Sequence, residues 1–113
     1  MSAEQRSHER STAHAKAVFV DTMTPGYLRD LSSSGCQVAF MAPVPAQEGL
    51  SVKIRVIPVH DPAQTPFQLL LDVRWIRNDP LWYLMGGKIR GVTPEDTASL
   101  EKLIAYYVEA PRE

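Results

Sequence analysis

Apolar and polar residues alternate along much of this chain with the two-residue period of β-strands. The clearest run covers residues 50–57, where every second position from Leu50 to Val56 is apolar and the positions between them are polar or charged. A longer run at residues 67–77 has one apolar face, made of Phe67, Leu69, Leu71, Val73 and Trp75. Both runs predict strands with one buried face.

Four shorter runs bring the number of predicted strands to six. They cover residues 17–20, 27–31, 36–40 and 81–89. The turn signals between the strands are Thr24-Pro25-Gly26, Ser32-Ser33-Ser34 with Gly35, two proline-containing loops at 41–49 and 58–66, and Asn78-Asp79-Pro80. Gly35 can adopt the positive φ angles that a tight reversal often needs.

The last part of the chain has a helical pattern. Thr93 is suited to the N-cap and Pro94 to the first helical position. An apolar stripe follows at Leu100, Leu103, Ile104 and Tyr107, and Pro111 is expected to end the helix. Six antiparallel strands and one helix predict a mostly β fold, a small six-stranded antiparallel β-barrel with a C-terminal α-helix on its opening or flank.

Composition limits the possible functions. A chain of 113 residues should form one domain, and a net charge of −1 excludes a general nucleic-acid binder held by a basic field. The single cysteine, Cys36, excludes an internal disulfide framework and fits a reducing cytosol. No apolar run is long enough to span a bilayer. We therefore expect a cytoplasmic protein that inserts in no membrane and binds no nucleic acid polymer.

Two short motifs suggest a ligand. Asp30-x-Ser32-x-x-Gly35 places a carboxylate, a hydroxyl and a glycine at one hairpin, and Arg6-x-x-x-Arg10 lies upstream in a polar segment. Together, in this order and spacing, the motifs resemble the two signatures of the PilZ domain family. The resemblance implies a β-barrel that binds the bacterial second messenger cyclic di-GMP. It also divides the chain into a flexible, ligand-gripping segment at 1–16 and a barrel with helix at 17–113.

The residue types of the motifs suit that ligand. Arginine presents a planar fork to the O6 and N7 acceptors of guanine or to phosphate, which suits Arg6 and Arg10. Asp30 can accept from the guanine N1–H and N2–H groups, Ser32 can donate, and Gly35 keeps the surface open. Each of these last three residues has a structural alternative, because each can serve only its own turn.

The resemblance implies two further site residues, Trp75 and Gly86. An indole can stack on guanine, but Trp75 can equally belong to the core beside Leu71 and Val73. Gly86 stands where a side chain could crowd the ligand. Gln5 departs from the stronger family pattern, which has an additional arginine before the first motif arginine.

No pattern indicates an enzyme or a metal site. His8, His14 and His60 are separated, and Cys36 is expected to be a small buried hydrophobe. The expected function is a non-enzymatic cyclic di-GMP receptor, without a cofactor, that changes conformation and signals to an unidentified protein, for example in the control of motility or surface attachment. The alternatives are a protein-interaction adaptor of the same fold that does not bind the ligand, and a small-barrel binder of single-stranded nucleic acid.

Replacing Arg6 or Arg10 with alanine should weaken cyclic di-GMP binding by about 1–3 kcal/mol or more and leave the fold intact, because one bidentate contact contributes that much. Isothermal titration calorimetry measures the change. Unchanged affinity in both variants would remove the N-terminal segment from the site.

Overall fold

The computed structural model describes residues 15–59 and 64–109, the last two by their backbone alone. Six antiparallel strands close into a barrel in the order β1-β2-β3-β6-β5-β4. The strands are β1 (Lys16–Phe19), β2 (Thr24–Leu31), β3 (Gly35–Phe40), β4 (Ser51–Ile57), β5 (Phe67–Asn78) and β6 (Tyr83–Val92), and one helix follows, α1 (Pro94–Glu109). The predicted mostly β architecture is confirmed.

The inward positions of all six strands fill one apolar core. Alternation is cleanest in β4, where Val52, Ile54 and Val56 are buried and the residues between them are exposed. Phe19 and Phe40 meet edge to face inside the barrel, with their ring centroids 5.7 Å apart. β1 and β4 stand at the two ends of the strand order, and their antiparallel pairing closes the barrel around this core.

The predicted turn at residues 24–26 is wrong. The chain reverses at residues 20–23 instead, where Met23 has a positive φ of 56° and its N–H donates to the Val20 carbonyl at 3.3 Å. Pro25 lies in β2, where its carbonyl accepts a hydrogen bond from the N–H of Met41 at 3.1 Å although its ring leaves no N–H to donate. Gly26 is required for a different reason: an added Cβ would overlap the carbonyl oxygen of Ala39 on β3.

The other predicted boundaries differ by a few residues. Leu50 is not part of the buried face of β4, since it lies before the strand and is 49% exposed. β6 begins two residues later than predicted and extends to Val92. β1 begins at Lys16, the last residue of the predicted segment 1–16; that division otherwise stays a prediction, because residues 1–14 lie outside the described part of the chain.

Helix α1 closes one end of the barrel. It begins directly after Thr93, as predicted, and packs against β2 and β5, which lie on opposite sides of the barrel. Its apolar stripe is confirmed, with Leu100, Leu103 and Tyr107 buried and Ile104 packed on the core. Pro111 lies outside the described residues. In residues 15–59 and 64–109, no helix has the length and apolar character needed to cross a membrane.

The end that α1 covers also contains the turn at Ser32, Ser33 and Ser34, which we call the serine turn. β2 ends at Leu31 and β3 begins at Gly35, and the N–H of Ser32 donates to the Gly35 carbonyl at 2.9 Å across this predicted turn. The first described residue, Ala15, enters at the same end. The start of the barrel, the serine turn and the helix are therefore close neighbours.

Gly26→Ala should destabilise the protein by about 1–3 kcal/mol, because the new methyl group meets the backbone of β3, which cannot move without opening the ladder. Gly91→Ala is the matched control. It lies in β6 with open space around the position of an added Cβ, so alanine should be neutral or stabilise by up to about 1 kcal/mol. Urea unfolding compares the two variants; equal stabilities would contradict this account of β2–β3 packing.

Candidate functional site

A bulge in β2 determines where Asp30 lies. The register with β3 shifts between Leu28 and Asp30, so that Arg29 is an extra residue. As a result Leu28 and Leu31 are both buried, three positions apart, and Asp30 is exposed on the outer face between them. Without the extra residue, strict alternation would place Asp30 on the same face as Leu28.

A second bulge, in β5, does the same for Trp75. The register with β6 shifts between Val73 and Trp75, and Arg74 is the extra residue. Beyond it Ile76 packs on the core, whereas Trp75 is half-buried and pairs with Gly86 on the outer face. The predicted apolar face from Phe67 to Trp75 therefore ends at Val73, and its extension to Trp75 is wrong.

The two bulges bring residues from four strands into one row across the outer face. Asp30 pairs with Gln37, Gln37 with Gly86, and Gly86 with Trp75. Three spacings between neighbouring strands give the row a length of about 14 Å. We call these four residues the ligand row.

The indole of Trp75 lies in a defined position against Gly86, at one end of the ligand row. A Cβ added to Gly86 would lie 2.5 Å from the Cε2, Cζ2 and Nε1 atoms of the ring, so the glycine is what allows the ring to lie against β6. The guanidinium carbon of Arg77 is 5.2 Å from the ring centroid, within the range of a cation–π contact. Trp75 is thus an oriented aromatic surface outside the core.

The serine turn uses its own polar groups. Asp30 Oδ1 accepts a hydrogen bond from the N–H of Leu31 at 3.0 Å. The Ser32 hydroxyl lies 3.2 Å from the hydroxyl of Ser34 and 3.4 Å from the Gly35 carbonyl oxygen, and it accepts from the N–H of Ser34 at 3.3 Å. The structural roles of Asp30 and Ser32 are therefore present, and ligand contact by either residue stays a prediction.

Gly35 serves strand packing and not a left-handed turn. Among the described glycines the positive φ belongs to Gly49, at 94°, and Gly35 is the first residue of β3. A Cβ on Gly35 would overlap the carbonyl oxygen of Gly87 on β6. Gly35 does not use the positive φ that glycine allows, and it is required because two backbones approach closely.

Two ionisable groups on strands of the ligand row have pKa values that their surroundings shift. Burial, with a smaller contribution from the charge of Asp30, raises the pKa of Cys36 to about 12, so its thiol stays protonated at neutral pH. On the outer face, the hydrogen bond from Ser51 is the main cause that lowers the pKa of Asp72, and Arg90 adds an ion pair at 3.3 Å. Within residues 15–59 and 64–109, no three His, Cys, Asp or Glu residues are grouped so as to hold a metal ion.

Arg6 and Arg10 lie outside the described residues. The point at which their segment joins the barrel is described, because Ala15 lies beside β2. The N–H of Leu28 donates to the Ala15 carbonyl oxygen at 2.9 Å. The segment therefore meets the barrel two residues before Asp30.

Sequence reasoning missed Gln37 and Arg77. Gln37 was detectable, because it alternates with Cys36 and Val38 in a strand whose other face is apolar. Its place between Asp30 and Gly86 was not, since that depends on the register of β3 with two partners. Arg77 shares a face with Trp75 because the two residues are two apart in β5, and the bulge at Arg74 turns that face outward.

Comparison with known proteins agrees with this fold. The sequence matches a family model described as PilZ domain over residues 4–108. Among solved structures, the chain is similar to the Bacillus subtilis inhibitor of motility (MotI/DgrA), with a TM-score of 0.63, 18% identity, and coverage of 88% of this chain and 48% of that one. The chain thus spans about half the length of that structure, and at this identity the likeness concerns the fold alone. No curated protein shows significant sequence similarity to the chain.

The position of the Trp75 ring against Gly86 can be tested by paired substitution. Gly86→Ala should displace the indole and shift the tryptophan fluorescence. Trp75→Ala should lower the free energy of unfolding by less than the roughly 3–5 kcal/mol that loss of a buried aromatic side chain costs. Phe40→Ala, which removes a fully buried ring, is the control. In a Trp75→Ala background, Gly86→Ala should cost little, because the clashing ring is gone. If Gly86→Ala lowered the free energy of unfolding equally in both backgrounds, the ring would not lie against Gly86.

Proposed function

The chain belongs to the PilZ domain family, and we propose on that basis that it is a cytoplasmic, non-enzymatic receptor that binds cyclic di-GMP and signals to a protein partner. The observation that carries the proposal is the ligand row, in which a carboxylate, an amide and an aromatic ring share the outer face of the barrel. The chemistry required is recognition alone. Base edges, phosphates and ring faces need complementary groups, and no bond has to be broken.

The Asp30 end of the row suits a base edge. The carboxylate of Asp30 is exposed and can accept from the N1–H and N2–H groups of guanine. The amide of Gln37, one strand away, can donate and accept at the same time. A pair of neighbouring groups of this kind distinguishes guanine from bases that lack its donor pattern.

The Trp75 end suits a ring face. Stacking of a base on an aromatic side chain contributes about 1–3 kcal/mol. The ring is held against Gly86 before any ligand arrives, so little conformational freedom is lost when a base stacks on it. Arg77 adds positive charge beside the ring, which favours a dianionic ligand.

The N-terminal arginines complete the proposed site. Arg6 and Arg10 would supply the bidentate contacts to phosphates or guanine acceptors that the described outer face lacks in this row. Their segment joins the barrel at Ala15, beside Leu28 and two residues before Asp30, and the arginines would reach the site from this point. Ordering of this segment on binding is the proposed change of conformation.

A second candidate is an interaction adaptor that keeps the fold and does not bind cyclic di-GMP. The observation that favours it is the internal bonding of the serine turn, where Asp30 and Ser32 already have partners. Gln5, in place of a further arginine, removes one cationic contact. Both candidates require a protein partner. The structural neighbour is an inhibitor of motility, and we propose motility or surface attachment as the process controlled.

Calorimetric titration of the full chain with cyclic di-GMP tests the receptor, with a short single-stranded oligonucleotide as a second ligand. We expect binding of the dinucleotide and none of the oligonucleotide. Asp30→Asn should weaken binding by about 1.5–3 kcal/mol, because a hydrogen bond to a charged group is lost. Asp21→Asn is the matched control, since Asp21 is an exposed aspartate in the turn at the other end of the barrel.

The possible outcomes separate the three candidates. No binding of cyclic di-GMP by the folded protein would contradict the receptor and favour the adaptor. Binding of the oligonucleotide alone would favour a nucleic-acid barrel. Equal losses in Asp30→Asn and Asp21→Asn would place the ligand away from the ligand row.

A further inference from the structure

A lysine stands beside the ligand row on the outer face of the barrel. Lys88 is exposed and follows Gly86 by two residues in β6, so both residues lie on the same face of the sheet, about 7 Å apart. Gly87, between them, pairs with the buried residues Cys36 and Val73 and belongs to the inner face. Lys88 therefore adds a charged side chain next to the strand position where the ligand row has none.

The neighbours of Lys88 on the adjoining strands leave its ammonium group available. On β3 it pairs with Gly35, which has no side chain. On β5 it pairs with Asp72, but that carboxylate accepts from the Ser51 hydroxyl and from the guanidinium of Arg90 at 3.3 Å. Among the side chains of residues 15–59 and 64–107, no carboxylate lies within ion-pair distance of Lys88.

The other cations of β5 and β6 are directed to groups of the barrel. Arg90 forms the ion pair with Asp72, and Arg74 lines a groove beside the same carboxylate. Arg77 lies beside the ring of Trp75. Lys88 is the fourth cation of these two strands, and its flexible stem lets the ammonium reach the neighbouring row.

A cyclic dinucleotide bound along the ligand row brings its phosphates close to this lysine. Its sugar–phosphate ring lies between its two bases, and the row offers a partner for a base edge at Asp30 and for a ring face at Trp75, about 14 Å apart. Between these ends lie Gln37 and Gly86, which carry no charge. A phosphate in the middle of the row therefore finds its nearest available cation of β5 and β6 in Lys88.

We propose that Lys88 binds a phosphate of the ligand and is a further binding residue of the described outer face. The inference rests on the proposed function, because it assigns a residue to the same cyclic di-GMP site. Lysine suits the role, since its ammonium is a compact point charge that binds phosphate without the planar fit of a guanidinium. Gly35, on the other side of Lys88, keeps the adjoining surface at the level of the backbone.

Calorimetry on the full chain tests this contact, with cyclic di-GMP titrated into wild type, Lys88→Met and Lys88→Arg. Methionine keeps an unbranched stem and removes the charge. We expect Lys88→Met to weaken binding by about ten-fold, the value of one hydrogen bond to a charged group. Lys88→Arg should restore most of the affinity, because a guanidinium also binds phosphate. Thermal unfolding checks that each variant is folded at the assay temperature.

Lys53→Met is the matched control, because it changes the net charge by the same amount at another exposed lysine of the outer face. Lys53 pairs with Leu70, which lies on the far side of Asp72 from Trp75 along β5. At about 0.15 M salt, exposed charges more than about 8 Å apart are largely screened, so this variant should bind as wild type does. Equal losses in Lys88→Met and Lys53→Met would indicate a general effect of charge and overturn the contact.

Phosphorus NMR of the bound ligand gives a readout that a change in stability would not produce. A phosphate signal of bound cyclic di-GMP should shift between wild type and Lys88→Met, and should stay in place in Lys53→Met. If wild type binds, and Lys88→Met has the same affinity or the same phosphorus signals, the assignment of Lys88 is overturned and the receptor stands. Failure of wild type itself to bind would overturn the proposed function, and this assignment with it.

Discussion

Closure of the barrel gives its six strands one shared apolar interior, and a strand that slips by one residue turns its whole apolar set outward. β2 and β5 satisfy this constraint while also presenting Asp30 and Trp75 to the outside, because each contains one extra residue. The bulges at Arg29 and Arg74 keep Leu31 and Ile76 directed to the core. The ligand row exists because the core is preserved on both sides of each bulge.

The glycines within the strands follow from the same packing. Gly35 and Gly26 allow neighbouring backbones to approach, and Gly86 allows a ring to lie on the strand next to its own. All three would be needed in this barrel whether or not a ligand binds. A motif glycine in such a fold therefore reports first on strand packing, and its meaning for binding comes from what the close approach positions, here the indole of Trp75 against β6.

Much of this architecture could be predicted from local sequence. Alternation located the strands, and the spacing of Leu100, Leu103 and Tyr107 located the buried face of the helix. Strict alternation failed at the bulges, although pairs of apolar residues three apart, Leu28 with Leu31 and Val73 with Ile76, carried the signal. The place of Gln37 could not be predicted in this way, because it depends on the register between strands. The hydrogen bonds of the Tyr107 hydroxyl with Leu28 and Ala15 could not be predicted either, because their partners are 79 and 92 residues away.

The Tyr107 hydroxyl accepts a hydrogen bond from the N–H of Ala15 and donates one to the Leu28 carbonyl oxygen, and this has a consequence for synthesis of the molecule on the ribosome. Chains are made at about 5–20 residues per second, and a contact between distant residues cannot form until the later residue has been made. Tyr107 follows all six strands in chain order, so a nascent barrel must wait for α1 before its end is covered and Ala15 meets its final partner. During that interval the core is open at the end where the serine turn lies, and transiently exposed apolar surface of this kind makes a growing chain prone to aggregation.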